Sequence, residues 1–133
     1  MITRTLRALS PGECLGLLEP GGVGRVGLMS VEGIVMLPVN YAIAGNSVVF
    51  RTAPDTLLAA QARGPASFQA DCFDEAGHAG WSVLVQGHAH IVGEEREVLN
   101  LERKTGLEPW ASGARYVWVR ITPVRITGRR LGQ

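Results

Sequence analysis

Arg51 and Thr52 stand where an apolar run meets a helix-forming segment, and their types suit the binding of an anion. Residues 48–50 favour a strand, and Thr52 followed by Asp55 has the spacing of a helix capping box. A cation at a strand end beside free amides at a helix start can hold a phosphate. We therefore predict an anion site here; the alternative is that Arg51 is a solvated charge and Thr52 only a cap.

The segments around this junction have clear local signals. The residues after Thr52 predict a helix over 57–62 that stops at Gly64-Pro65. Residues 44–46 predict a tight hairpin turn into the strand that carries Arg51. Earlier in the chain, Ser10 and Glu13 have capping-box spacing and predict a helix that starts at Pro11.

A long apolar strand over residues 34–43 contains Pro38 and Asn40. Because proline cannot donate to a ladder, Pro38 predicts a bulge or an unpaired edge. Free backbone groups there could face a bound planar molecule, and Asn40 could join them. Equally, Pro38 could only mark an edge strand and Asn40 could be a satisfied polar residue.

The rest of the chain is predicted to form strands and one surface helix that is apolar on one side only. Strands are expected over 23–30, 66–73 and 81–92, the helix over 94–105 with Gly106 ending it, and a last strand from Tyr116 that is interrupted at Pro123. His88 and His90 share one face of their strand. No third ligand lies near them in the sequence, so we predict no metal site.

The composition limits the classes of function. The 133 residues suit one domain, 1–133. The composition has 46% hydrophobic residues, 19% charged residues and a net charge of +1, which favours a small-molecule ligand over nucleic acid or a membrane surface. The sequence has no signal peptide and no spanning segment, which predicts a cytoplasmic protein. Cys14 and Cys72 are too few for a disulfide framework and are predicted to be buried thiols.

About six strands joined by hairpins, with two or three short helices, favour a mainly β, antiparallel barrel. A barrel of this size fills its interior with side chains, so a ligand must lie on the outer wall or between subunits. A dimer whose interface holds the ligand is the expected solution.

Several segments together resemble a known family. They are Glu13-Cys14-Leu15 through Gly24-Arg25-Val26, Leu37-Pro38-Val39-Asn40-Tyr41, Val49-Phe50-Arg51-Thr52-Ala53-Pro54, Gly80-Trp81-Ser82-Val83-Leu84-Val85 with Gly87, Pro109-Trp110, and Arg120-Ile121 through Gly128-Arg129. In order and spacing they resemble the pyridoxamine 5'-phosphate oxidase-like proteins, which are flavin- or deazaflavin-binding split barrels. The resemblance implies a six-stranded split β-barrel and a homodimer with two cofactor sites at the interface.

The resemblance also implies which residues bind a cofactor. Residues 37–41 would lie along the isoalloxazine ring, Arg51 and its neighbours would approach the ribityl phosphate, and Thr56 would be the hydroxyl at the helix start. Ser82, flanked by Trp81, would be a further phosphate contact. The implied set is Pro38, Val39, Asn40, Tyr41, Phe50, Arg51, Thr52, Thr56, Trp81 and Ser82, with FMN as the cofactor and a deazaflavin or no cofactor as alternatives.

Two features depart from the family pattern. Asp55 and Leu57 stand where many relatives have glycine and lysine, so a charge-assisted phosphate contact is lost and a carboxylate is added. The chain also ends at Gln133, without the extension that holds the vitamin substrate in the true oxidases. We therefore do not expect oxidation of pyridoxine phosphate.

Three functions remain open at this point. The leading one is a flavin-type oxidoreductase that acts on an unknown small molecule by hydride transfer, in which the cofactor carries the chemistry. The second is a barrel without flavin that is a small-ligand-binding module or a cofactor-independent enzyme, with Arg51, Tyr41, Trp81 and the histidines lining the pocket. The third is haem binding through His88 or His90.

Overall fold

The structure is a computed structural model that describes residues 5–54, 56–108 and 116–132, with the side chain of Leu57 outside the described part. Within these residues it has seven strands and three helices. In chain order they are β1 (Leu6–Leu9), α1 (Pro11–Leu18), β2 (Gly22–Ser30), β3 (Gly33–Ala44), β4 (Ser47–Thr52), α2 (Leu57–Gln61), β5 (Gly64–Asp74), β6 (Ala79–Val92), α3 (Glu95–Thr105) and β7 (Val117–Leu131).

The antiparallel sheet closes on itself because β7 pairs with two strands. The order is β1-β7-β4-β3-β2-β5-β6, and β6 pairs with β7 again. Six strands therefore form a closed barrel, and the predicted mainly β barrel is confirmed. The seventh strand, β1, extends the sheet by pairing with the Gly128–Leu131 end of β7.

Strand alternation divides the apolar residues between two cores. Inward-facing side chains such as Phe50, Phe68 and Val85 fill the barrel and are fully buried. The outer faces of β4 and β7 carry Val49 and Trp118, which pack with Val92 and with Leu101 of α3. The predicted one-sided helix thus covers part of the outer wall. None of the described helices is long and apolar enough to cross a membrane.

The predicted capping box of α1 is confirmed. Glu13 N donates to Ser10 Oγ at 3.1 Å, and Ser10 N donates to Glu13 Oε1 at 3.0 Å. The hydrogen bond from the Ser10 amide, helped by Arg7, lowers the pKa of Glu13. Cys14 in this helix is buried as predicted, and burial raises the pKa of its thiol.

Helix α2 begins differently from the prediction. Thr56, not Thr52, is the N-cap, and its Oγ1 accepts from Ala59 N at 3.2 Å. The cap is displaced because β4 continues through Thr52, which is still paired with Val117. The helix ends at Gln61, one residue earlier than predicted, and the chain enters β5 at Gly64, whose φ is +88°.

The two strand prolines have different outcomes. The ladder between β2 and β3 runs without a break past Pro38, while β4 pairs with β3 only from Tyr41 onward. Pro38 thus lies on a stretch with one partner strand in the described ladders, and the predicted unpaired edge is confirmed. The predicted interruption at Pro123 is wrong, because β7 continues through it with a bulge at Val124, where the pairing shifts between Gln86 and Gly87.

Cys72 is exposed, so its predicted burial is wrong. It lies in the last residues of β5, where Asp71 to Asp74 are all exposed as the hairpin with β6 extends beyond the core. The alternation of β5 is correct as far as Ala70, but the end of the strand has no covering layer among the described residues.

The bulge in β7 makes Gly87 a position that tolerates no side chain. A Cβ there would overlap the Thr122 carbonyl oxygen and lie 2.9 Å from Pro123 Cα, whereas a Cβ at Gly27 would be 3.9 Å from its nearest neighbour. We expect Gly87→Ala to lower the free energy of unfolding by about 2 kcal/mol and Gly27→Ala to change it by less than about 0.5 kcal/mol. Urea denaturation at one protein concentration measures both, and equal effects would contradict the bulge geometry.

The Thr56 cap gives a second stability prediction. Thr56→Ala removes the oxygen that accepts from Ala59 N, so we expect a loss of about 1 to 2 kcal/mol in unfolding free energy. Thr56→Ser keeps the oxygen and is the control, expected to retain most of the stability. If the serine and alanine variants were equally destabilised, the methyl group rather than the cap would be the important part of this side chain.

Candidate functional site

A cavity of about 400 Å³ lies on the outer wall of the barrel, where β3, β4 and the segment after α3 meet. Half of the predicted site residues line it. They are Pro38, Val39, Asn40, Arg51 and Thr52. The cavity lies beside the stretch of β3 that β4 does not cover, which is where the sequence predicted accessible backbone.

Arg51 is the cation of this cavity, and it is neither solvated nor unpaired. Its side chain is 17% exposed, and its Nη2 lies 3.5 Å from Glu102 Oε2. Nη1 donates to the Leu107 carbonyl oxygen at 3.3 Å, and the guanidinium carbon lies 5.0 Å from the Trp118 ring centroid. Nε is buried and has no hydrogen-bond partner among the described residues. The Nε donor of the guanidinium is therefore unused within the described part of the chain.

Thr52 and Thr56 form a buried hydroxyl pair behind the cavity. Their Oγ1 atoms lie 3.0 Å apart, and Thr56 also donates to the Ala53 carbonyl oxygen at 2.8 Å. Thr56 does not line the cavity itself but fixes the turn that positions Thr52 and Ala53. Thr52 thus lines the cavity directly, whereas Thr56 contributes through its hydrogen bonds to Thr52 and Ala53.

Tyr41 and Phe50 belong to the barrel core. The Tyr41 ring packs edge-on against Phe68 at 4.7 Å, and burial raises the pKa of its phenol. Phe50 is fully buried on the same side of the sheet. Neither residue lines this cavity, although Tyr41 lines the adjoining cavity of about 630 Å³.

Trp81 and Ser82 lie at the other end of the barrel. Trp81 pairs with Cys72 of β5 and Arg130 of β7. Trp118, the residue of β7 that pairs with Arg51, has Val92 as its partner at the other end of β6. Trp81 precedes Val92 by eleven residues, which is about 36 Å of extended strand. Within one chain these two residues and the cavity do not form one site.

His88 and His90 are exposed on the outward face of β6. Among the described residues no group of three or more His, Cys, Asp or Glu side chains is placed to hold a metal ion.

Sequence reasoning missed the residues that surround Arg51. Glu102 belongs to a helix whose pattern indicated only a solvated surface, and Leu107 lies in the segment after it. Trp118 could have been found from pairing, since it is the partner of Arg51 in the β4–β7 ladder. Three positions used in the sequence argument, Asp55, Pro109 and Trp110, lie outside the described residues.

Comparisons with known proteins agree with this fold. The family model described as pyridoxamine 5'-phosphate oxidase matches residues 10–130. The FAD binding protein from Mycobacterium smegmatis is 35% identical, with 96% of this chain and 99% of that chain covered and a TM-score of 0.85. The uncharacterized protein Rv0080 from Mycobacterium tuberculosis is 29% identical over 96% of this chain and 87% of its own length.

A solved structure of lower sequence identity has the same fold. The FAD-binding protein mll6688 from Mesorhizobium loti is 19% identical, with 98% of this chain and all of that chain covered and a TM-score of 0.72. The resemblance found in the sequence motifs is confirmed by the family model, which spans nearly the whole barrel. The chain belongs to the pyridoxamine 5'-phosphate oxidase family.

Proposed function

We propose that this protein binds a flavin nucleotide in the outer-wall cavity and is a flavin-dependent oxidoreductase. The observation that carries the proposal is the meeting of Arg51 and Thr52 with the uncovered stretch of β3 in one cavity. Its volume of about 400 Å³ lies within the roughly 300 to 1,000 Å³ range of small-molecule sites. The Nε of Arg51, which has no partner among residues 5–54, 56–108 and 116–132, is a donor that suits an anionic group.

The residues divide the binding between ring and phosphate. The backbone of Pro38, Val39 and Asn40 would meet the polar edge of the ring, while Arg51 and Thr52 would hold the phosphate. The bound flavin would accept or donate a hydride, and the protein would supply binding and orientation. Arg51 keeps positive charge near the phosphate, and the Trp118 ring beneath it limits its access to water.

FMN is the flavin that we propose first, and FAD is a second candidate. A larger cavity of about 630 Å³ shares Asn40, Leu107 and Glu108 with the first one. It offers room for a ligand that extends beyond a mononucleotide. The relatives from M. smegmatis and M. loti are both described as binding FAD, which favours testing both forms.

A second copy of the chain would complete the site. An apolar surface on the outer wall carries exposed Met29, Ile34 and Met36 around a cavity of about 360 Å³. Such surfaces on soluble proteins commonly mark interfaces. Met36 lies two residues before Pro38 on the same face of β3, so a copy docked there would lie beside the ligand cavity. We propose that it supplies Trp81 and Ser82.

Replacing the cavity's cation tests the flavin site. We expect Arg51→Ala to weaken FMN binding by roughly tenfold to a hundredfold, because a charge-assisted hydrogen bond to phosphate is lost. Riboflavin, which has no phosphate, should be affected much less. Arg120→Ala is the control. Arg120, like Arg51, pairs with a glutamate of α3, in this case Glu97, but it does not line the cavity.

Fluorescence titration with FMN, FAD, a deazaflavin and riboflavin provides the measurement, and thermal melting shows that each variant is folded. Equal FMN affinity in wild type and Arg51→Ala would contradict the phosphate site. A colourless wild type that none of these ligands stabilises would favour the alternative function, a small-ligand-binding module or a cofactor-independent enzyme.

The proposed dimer has its own test. We expect the wild type to have twice the 14.2 kDa mass of one chain in light scattering, and Met36→Lys to be monomeric because a charge is placed on the apolar surface. Leu99→Lys is the control, an equally drastic change at an exposed leucine on α3. Met36→Lys should also lose FMN. A monomeric wild type would contradict the two-copy site.

A further inference from the structure

The guanidinium of Arg51 is shared between the cavity and helix α3. Glu102 Oε2 lies 3.5 Å from Nη2, and the Leu107 carbonyl oxygen accepts from Nη1 at 3.3 Å. The same side chain lines the cavity where we place the ligand phosphate. The Glu102 carboxylate is thus paired with the same cation that an anionic ligand would bind.

We propose that Glu102 competes with the anionic group of the ligand for Arg51 and thereby sets its affinity. This inference rests on the proposed function, since it takes the anion to be the phosphate of a flavin nucleotide. A carboxylate beside the guanidinium cancels part of its field and repels a phosphate that approaches the same cation.

The geometry favours exchange of one partner for the other. Both contacts of Arg51 are long for charge-assisted hydrogen bonds, and the Glu102 side chain is 41% exposed. When displaced, that carboxylate returns to water at little cost. A phosphate that replaces Glu102 can use two donors of the guanidinium at once, whereas Glu102 makes one long contact.

The chain contains a matched pair of the same kind for comparison. Glu97 lies one helical turn and a residue before Glu102 on α3, and its Oε1 lies 2.8 Å from Arg120 Nη2 on β7. Both pairs join α3 to the outer wall, but neither Glu97 nor Arg120 lines the cavity. Glu97→Gln therefore reproduces the loss of a helix-to-sheet ion pair without a change at the site.

The experiment compares Glu102→Gln and Glu97→Gln with the wild type in titrations with FMN and riboflavin. We expect Glu102→Gln to bind FMN about three- to tenfold more tightly, because the competing charge is gone while an amide keeps the shape. Riboflavin affinity should be unchanged in both variants, and FMN affinity should be unchanged in Glu97→Gln. In the Arg51→Ala background, Glu102→Gln should give no gain beyond about twofold.

A second probe separates this inference from the flavin proposal. Inorganic phosphate, added at ionic strength matched with sodium chloride, should raise the melting temperature of Glu102→Gln more than that of the wild type or Glu97→Gln. If no variant binds FMN but this phosphate effect is present, the flavin proposal fails and the competition stands. If Glu102→Gln binds FMN or phosphate no better than the wild type, the competition is wrong. Weaker binding would overturn it too and make Glu102 a positioning residue for Arg51.

Discussion

The closure of the sheet by β7 is the constraint on which the rest of the structure depends. Because β7 pairs with both β4 and β6, the sheet has an inside, and the inside is filled by Phe50, Phe68 and their neighbours. A six-stranded barrel leaves no room there for a ligand. A ligand would therefore have to bind on the outer wall, where β3 runs past the end of its pairing with β4 and α3 covers only part of the surface.

Strand alternation then decides what each residue of β4 can do. Phe50 points into the barrel, and Arg51, the next residue, points to the other side, above Trp118 and toward α3. The cation consequently lies at the border between the second core and the cavity. Its burial makes its partners important, because a charge in such surroundings interacts more strongly than one in water. Arg51 thus takes part both in the outer-wall site and in the contact between the sheet and α3.

Local signals in the sequence predicted most of the elements. The start of α1 follows from Ser10 and Glu13, and the hairpin follows from the turn before Ser47. Strand β6 follows from its own alternation of apolar and polar residues. The errors arose where a distant strand decides the outcome. Thr52 could cap a helix locally, yet its ladder with β7 keeps it extended; Pro123 could end a strand locally, yet a bulge opposite Gly87 accommodates it.

The candidate site was predictable only in part, for the same reason. Residues 38–40 and 51–52, which the sequence predicted as parts of one site, line one cavity because a short hairpin joins their strands. The pairing of Arg51 with Glu102 spans 51 positions and has no periodic signal in the sequence. It depends on the register of β4 against β7 and on where α3 crosses the wall.

The position of Trp81 and Ser82 places a further limit on what one chain can bind. Both lie at the end of β6 remote from the cavity, and a ligand the size of a flavin nucleotide cannot span the difference along a strand. They can reach the ligand only from a second copy of the chain. In a dimer related by a two-fold axis, a region of one copy that contacts a second region of its partner is contacted by that second region in return. The end of β6 in each copy could therefore lie against the cavity of the other. Met29, Ile34 and Met36 are exposed apolar residues, and Met36 lies two residues before Pro38 on the same face of β3. A site assembled in this way couples cofactor binding to association, because each bound ligand would add contacts across the interface.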